Sequence, residues 1–289
     1  MILRAMSSLK GILPLVIFGT LIFMGTLSTF PKQANAILVL GHYVFIGPDA
    51  GAQTYKIKNI TKEQKGYRIE WTQLRQVPVG PKQKVAPGEY IPGVMDAEPY
   101  MYVAPRRLLM RPDQLQNIRF MVRRQADMQP GEYRSYIYLQ PEKLPKAFTG
   151  ADDMKNRAGN NSSASLSILT GYRIPVIFLH GETTLKPGVK DIHFGTNEKG
   201  VGGLHFTFTR EGTRSAIGDM HIYCDNSAGR QKVMTMEVKV FTEISEKKYF
   251  KPFQFPEQGC STLTAEFLPH SGDPDFPKGP VQLASVPIQ

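Results

Sequence analysis

Short runs in which apolar and polar residues alternate fill most of the chain beyond residue 40. Within residues 53–60, Tyr55 and Ile57 alternate with Thr54, Lys56 and Lys58, and residues 67–71 continue in the same style. Ile118, Phe120 and Val122 alternate with Arg119 and Arg123, and residues 133–139 do likewise. Further on, Leu204, Phe206 and Phe208 alternate with polar neighbours, and residues 218–224, 232–241 and 263–268 repeat the pattern. Period-two alternation is the mark of a strand with one face on a core. Many such runs, rich in β-branched and aromatic residues and separated by Pro and Gly, predict an all-β protein of sandwich type. No long amphipathic helical pattern appears after residue 36.

Two stretches interrupt the pattern. Residues 80–95 are rich in Pro, Gly and Lys and read as a loop. Residues 143–164 carry Pro145, Gly150, Asp152, Asp153 and a Gly159-Asn160-Asn161-Ser162-Ser163 run, a composition too polar to bury and expected to form a mobile loop. The longest strand-like segment, residues 165–180, follows directly. Proline cannot donate to a sheet ladder, so Pro175 places this strand at a sheet edge or at a change of partner. Residues 181–190 read as a hinge into a second β domain, and from Pro269 the chain turns Pro-rich and is expected as a loose tail.

The first 36 residues differ in kind. Arg4 and Lys10 precede an apolar stretch over residues 11–30, and Ala34-Asn35-Ala36 fits a signal-peptidase site, so cleavage after Ala36 is expected. An uncleaved membrane anchor is the alternative, since about twenty apolar residues span a bilayer. The resulting plan is a signal peptide over 1–36, one immunoglobulin-like domain over 37–180 with the loop 143–164, a second over 181–268, and a tail over 269–289.

Removing the signal takes away Arg4, Lys10 and Lys32 and no acidic residue, which lowers the net charge from +10 to +7. The excess is spread along the chain, whereas a nucleic-acid binder concentrates it on one element. Cys224 and Cys260 are the only two cysteines. Export permits a disulfide between them, and two free buried thiols are the alternative. The nucleotide-binding, serine-hydrolase and zinc-protease motifs are absent. The six histidines are scattered without ligand spacing, so neither a metal nor any other cofactor is expected, and no small-molecule substrate.

Residues 104–139 carry a proline turn, a strand with an apolar-Arg step at Ile118-Arg119-Phe120, and a Pro130-Gly131-Glu132-Tyr133-Arg134-Ser135 turn into the next strand. This block resembles the periplasmic pilus-chaperone family. Val44-Phe45, residues 171–176 and residues 209–218 resemble its opening strand, the last strand of its first domain and a strand pair of its second. The resemblance implies a non-enzymatic chaperone that lends an edge strand to pilus subunits and delivers them to an outer-membrane usher. It implies that Leu166 and Ile168 enter the subunit, with Thr170 at the next inward position. It also implies a basic anchor for the subunit's terminal carboxylate. Here the sequence departs from the family: His42 and Tyr43 stand where an arginine is expected, and the expected lysine falls near Pro175. Arg173 is the first candidate anchor and Arg119 the second. A structural or adhesive module of a surface assembly, built on the same sandwich, is the alternative function.

Overall fold

The computed structural model describes residues 37–144, 169–254 and 259–287. The expected signal peptide, residues 145–164 of the expected loop, and Leu166 and Ile168 lie outside the described residues. The described residues form strands joined by turns, with two single-turn 3-10 helices.

Eleven strands come from the first part of the chain. They are β1 (Ile37–Leu40), β2 (Val44–Ile46), β3 (Ala52–Asn59), β4 (Lys65–Thr72), β5 (Leu74–Arg75), β6 (Gln83–Lys84), β7 (Met101–Ala104), β8 (Arg107–Met110), β9 (Leu115–Val122), β10 (Gly131–Glu142) and β11 (Tyr172–His180). One sheet runs β1-β3-β9-β7 and the other β2-β11-β10-β4-β8, while β5 and β6 form a separate hairpin. Alternation sets the faces. Tyr55 and Ile57 of β3 and Ile118 and Phe120 of β9 turn inward to meet Ile69, Ile137, Val176 and Phe178 of the opposing sheet in one core. Tyr133 and Phe178 stack there at 4.8 Å.

The second part repeats the plan with seven strands. These are β12 (Leu185–Thr196), β13 (Gly202–Gly212), β14 (Ala216–Asn226), β15 (Gly229–Val240), β16 (Glu246–Pro252), β17 (Thr262–Pro269) and β18 (Val281–Pro287). The sheet β12-β13-β16 faces β15-β14-β17-β18. Leu204, Phe206 and Phe208 meet Met220, Ile222, Val238 and Phe267 between them. A disulfide joins Cys224 on β14 to Cys260, just ahead of β17.

The chain differs from the sequence expectation in two connections. Strand β12 begins at Leu185, so only residues 181–184 link the sandwiches, where a hinge to residue 190 was expected. Pro187 and Gly188 look like breakers, but β12 is the outer strand of its sheet, where a missing N–H costs no ladder bond on the open side. The expected loose tail is also built into the fold. Strand β18 pairs with β17 over residues 281–287. Ahead of it, Arg214, 2 % exposed, binds Asp273 and Asp275 and fixes the intervening loop.

Candidate functional site

Strand β11 is packed unlike the others. Its burial runs unbroken from Ile174 to Leu179, where alternation would leave every second residue wet. Ile174, Val176 and Phe178 fill the first core, while Ile177 belongs to a third cluster with Leu74, Tyr136, Ile217 and Phe241. That third cluster joins the two sandwiches. Burying both faces of β11 is what turns Ile174–Leu179 into a continuous apolar run.

The outward face of the β10–β11 pair forms a ladder of opposed residues: Glu132 with Leu179, Arg134 with Ile177, Tyr136 with Pro175, and Tyr138 with Arg173. The inner three rungs are covered by the second sandwich. Arg134 and Glu132 are 1 % and 2 % exposed. Glu243, from the second sandwich, accepts from Arg134 Nη2 at 2.6 Å and from the Gln76 backbone N–H at 2.7 Å. Glu132 accepts from the backbone N–H and hydroxyl of Ser215 at 2.6 and 2.5 Å, and burial pushes its carboxyl above the ordinary range. Gln76 completes the seam: its amide donates to the Lys239 carbonyl and accepts from the Phe241 N–H.

The outermost rung is open. Arg173 is exposed and lies with its guanidinium 4.4 Å from the centre of the Tyr138 ring, a cation–π contact at the mouth of the junction. The β11 edge opposite β10 is covered by β2 only over Val176–Phe178, in parallel register with Val44–Ile46. From Tyr172 to Pro175 that edge carries no strand among the described residues, and Pro175 marks where the cover begins. Thr170, just ahead of β11, is exposed.

Of the remaining sequence candidates, Arg119 is exposed on β9, in the sheet opposite β11, paired with Thr54 and Ala104. The structure therefore does not bring it to Arg173. Tyr43 stands at the junction beside His270, and burial with the nearby Glu237 and Asp219 pushes its hydroxyl up to about 12. Glu237 is bound by Lys239 at 2.7 Å and His42 at 3.1 Å. A cleft of about 280 Å³ lined by Tyr43, Asp219, Glu237 and His270 is thus acidic.

Sequence reasoning missed one cation at this junction. Lys82, in the turn of the β5–β6 hairpin, places its ammonium 5.1 Å from the Tyr136 ring centre and 4.6 Å from that of Phe241. Burial, with Lys239, Arg134 and Lys247 nearby, pushes it down to about 8. Its local sequence is an ordinary Pro/Gly/Lys loop, so no local signal could have singled it out.

No family model and no curated protein matches the sequence. Among solved structures the chain is similar to several described as fimbrial chaperones. The class 5 fimbriae chaperone CfaA is 13 % identical over 88 % of this chain and 100 % of its own, with a TM-score of 0.41. The Pseudomonas aeruginosa CupB2 chaperone is 11 % identical over 87 % and 100 %, with a TM-score of 0.42. The CsuC–CsuE chaperone–tip adhesion subunit complex of Acinetobacter baumannii is 10 % identical over 86 % and 98 %, with a TM-score of 0.44.

Proposed function

We propose that this chain is a periplasmic chaperone for pilus subunits and works by lending a strand. The supporting observation is the half-open edge of β11: a strand buried on both faces from Ile174 to Leu179, yet unpaired on one side from Tyr172 to Pro175. An open edge offers backbone donors and acceptors to an extended partner, and alternate side chains supply apolar contacts. Residues 165–171 continue that edge in sequence, so Leu166 and Ile168 are the apolar pair that enters the subunit, with Thr170 next. Occupation by a client also covers an edge that would otherwise template aggregation.

Arg173 stands at the mouth of the junction in this reading and meets the subunit's terminal carboxylate. The sequence block at residues 104–139 and the expected signal peptide support the same reading and a periplasmic location, with delivery to an outer-membrane usher as the next step. No covalent chemistry is needed at any stage.

The test is co-purification from periplasm of the wild-type chain against a Leu166→Asp/Ile168→Asp variant. The expected result is a small β-rich pilus subunit at one-to-one stoichiometry with wild type and none with the variant. Equal recovery with both forms, or self-assembly of the chain with no subunit bound, overturns the proposal.

A further inference from the structure

The sheet β12-β13-β16 carries a row of three rings, one from each strand. His193 of β12 pairs with His205 of β13, and His205 pairs with Phe250 of β16. Leu204 and Phe206 turn into the core of the second sandwich, so His205 between them turns to the outer face of the sheet. The two imidazoles lie parallel with their centres 5.0 Å apart. The Phe250 ring stands 4.7 Å from His205 on the side away from His193. Phe250 is itself seated over Gly203, where a Cβ would come within 2.5 Å of its ring.

A bulge aims His193. The β12–β13 register shifts between Lys190 and His193, and Asp191 within that step has a positive φ of 56°. A bulge re-aims the side chains that follow it. The Asp191 carbonyl accepts from Nδ1 of His193 at 2.9 Å. A carbonyl only accepts, so the His193 proton is on Nδ1 and Nε2 keeps its lone pair. On the neighbouring strand, Nε2 of His205 is buried and makes no hydrogen bond. Buried polar atoms in folded proteins nearly always have partners. Gly195 leaves space beside the same edge of the rings. A Cβ there would stand 3.6 Å from Nε2 and 3.4 Å from Cδ2 of His205, and 3.8 Å from Cδ2 of His193.

We propose that His193 and His205 bind one divalent transition-metal ion, copper(II) more tightly than nickel(II) or zinc(II). An imidazole whose Nδ1–H is held by a backbone carbonyl is oriented, and made more basic, for metal binding through Nε2. Each ring nitrogen holds such an ion at about 2.0–2.1 Å, and ring centres 5.0 Å apart let both reach it. Among the described residues no third His, Cys, Asp or Glu joins the pair, so water fills the other positions. Nitrogen donors favour copper, nickel and zinc over magnesium and calcium, which take oxygen. The two ligands come from neighbouring strands, and β12 is the outer one. A bound ion therefore ties that edge to β13 and stabilises the folded chain. The spacing of the histidines along the chain showed no ligand set because only the β12–β13 register brings these two together.

The purified full chain, carrying no affinity tag, is titrated with copper sulfate, zinc chloride and magnesium chloride in a non-coordinating buffer. Each titration is followed by calorimetry and by the urea midpoint. The expected result is one copper ion per chain, weaker binding of zinc, none of magnesium, and a higher midpoint with copper. His193→Gln changes an exposed side chain, so it keeps the fold, and it weakens copper binding by about tenfold or more. His205→Gln does the same. Electron paramagnetic resonance of the copper-loaded protein shows two imidazole nitrogens in wild type and one in His193→Gln. His221→Gln, on the opposing sheet, leaves the affinity unchanged. No saturable copper uptake by wild type, or uptake that His193→Gln and His205→Gln leave unchanged, overturns the proposal. These readouts need no client, so they stand or fail apart from the strand-lending test.

Discussion

Replacing Glu243 by alanine is the sharpest perturbation of the seam between the sandwiches. The Glu243 and Arg134 side chains are 2 % and 1 % exposed and 2.6 Å apart, and the substitution leaves Arg134 with Glu132 at 3.7 Å as its only anion. Removing one member of a buried pair costs about 3–5 kcal/mol, because the remaining charge stays buried without compensation. With a urea slope of roughly 2–3 kcal/mol/M, the unfolding midpoint of Glu243→Ala falls by about 1–2 M, followed by circular dichroism. The triple variant Glu132→Gln/Arg134→Met/Glu243→Leu removes all three buried charges and leaves the Gln76 N–H unpaired. Its cost is therefore smaller, about 1–3 kcal/mol. The reasoning is refuted if Glu243→Ala costs less than about 1 kcal/mol, the value of a solvent-exposed pair, or if the triple variant is no better than the single.

Three further outcomes follow from the same packing. Gln76→Ala strands the Phe241 N–H, while the Lys239 carbonyl keeps the Tyr249 hydroxyl, and lowers stability by about 1–3 kcal/mol, measured in the same urea assay. Reducing the Cys224–Cys260 bridge, which closes a separation of 36 residues, lowers stability by roughly 3–4 kcal/mol, seen as a lower melting temperature in reductant. The Asp275 carboxyl is held below its ordinary value by the hydrogen bond from Lys278 and by Arg214. A depressed carboxyl contributes stability above its unfolded value of about 3.9, and that share is lost as pH falls through the folded value. Urea unfolding of Asp275→Asn at a series of acidic pH values thus gives a shallower decline than wild type.

Strands with one wet face were legible in the sequence, because burial on one side forces period-two alternation; β3 and β9 are examples. The β10–β11 pair obeys a different rule. Its outward residues Glu132, Arg134 and Tyr136 read as a solvated face, yet the second sandwich covers them, and nothing local to residues 131–142 encodes that cover. Lys82 was invisible for the same reason: its setting is made by Tyr136 and Phe241, 54 and 159 residues away in the chain. The pairing of the two cysteines was readable from their number and the expected export. The turn residues Pro187 and Gly188 misled because an outer strand tolerates them, and Pro-rich composition after Pro269 concealed the pairing of β18. Arg173 was singled out as a candidate two residues before Pro175, and the ring it lies over, Tyr138, is set by the register of β10.

The central claim is that β11 lends the edge that is open from Tyr172 to Pro175. Hydrogen exchange of the full chain, alone and in the co-purified complex, tests it most directly. Strand lending predicts that amide exchange across residues 165–175 slows at least tenfold on complex formation, while β1, at the edge of the opposite sheet, is unchanged. Unchanged exchange across residues 165–175, with protection appearing elsewhere on the surface, contradicts it.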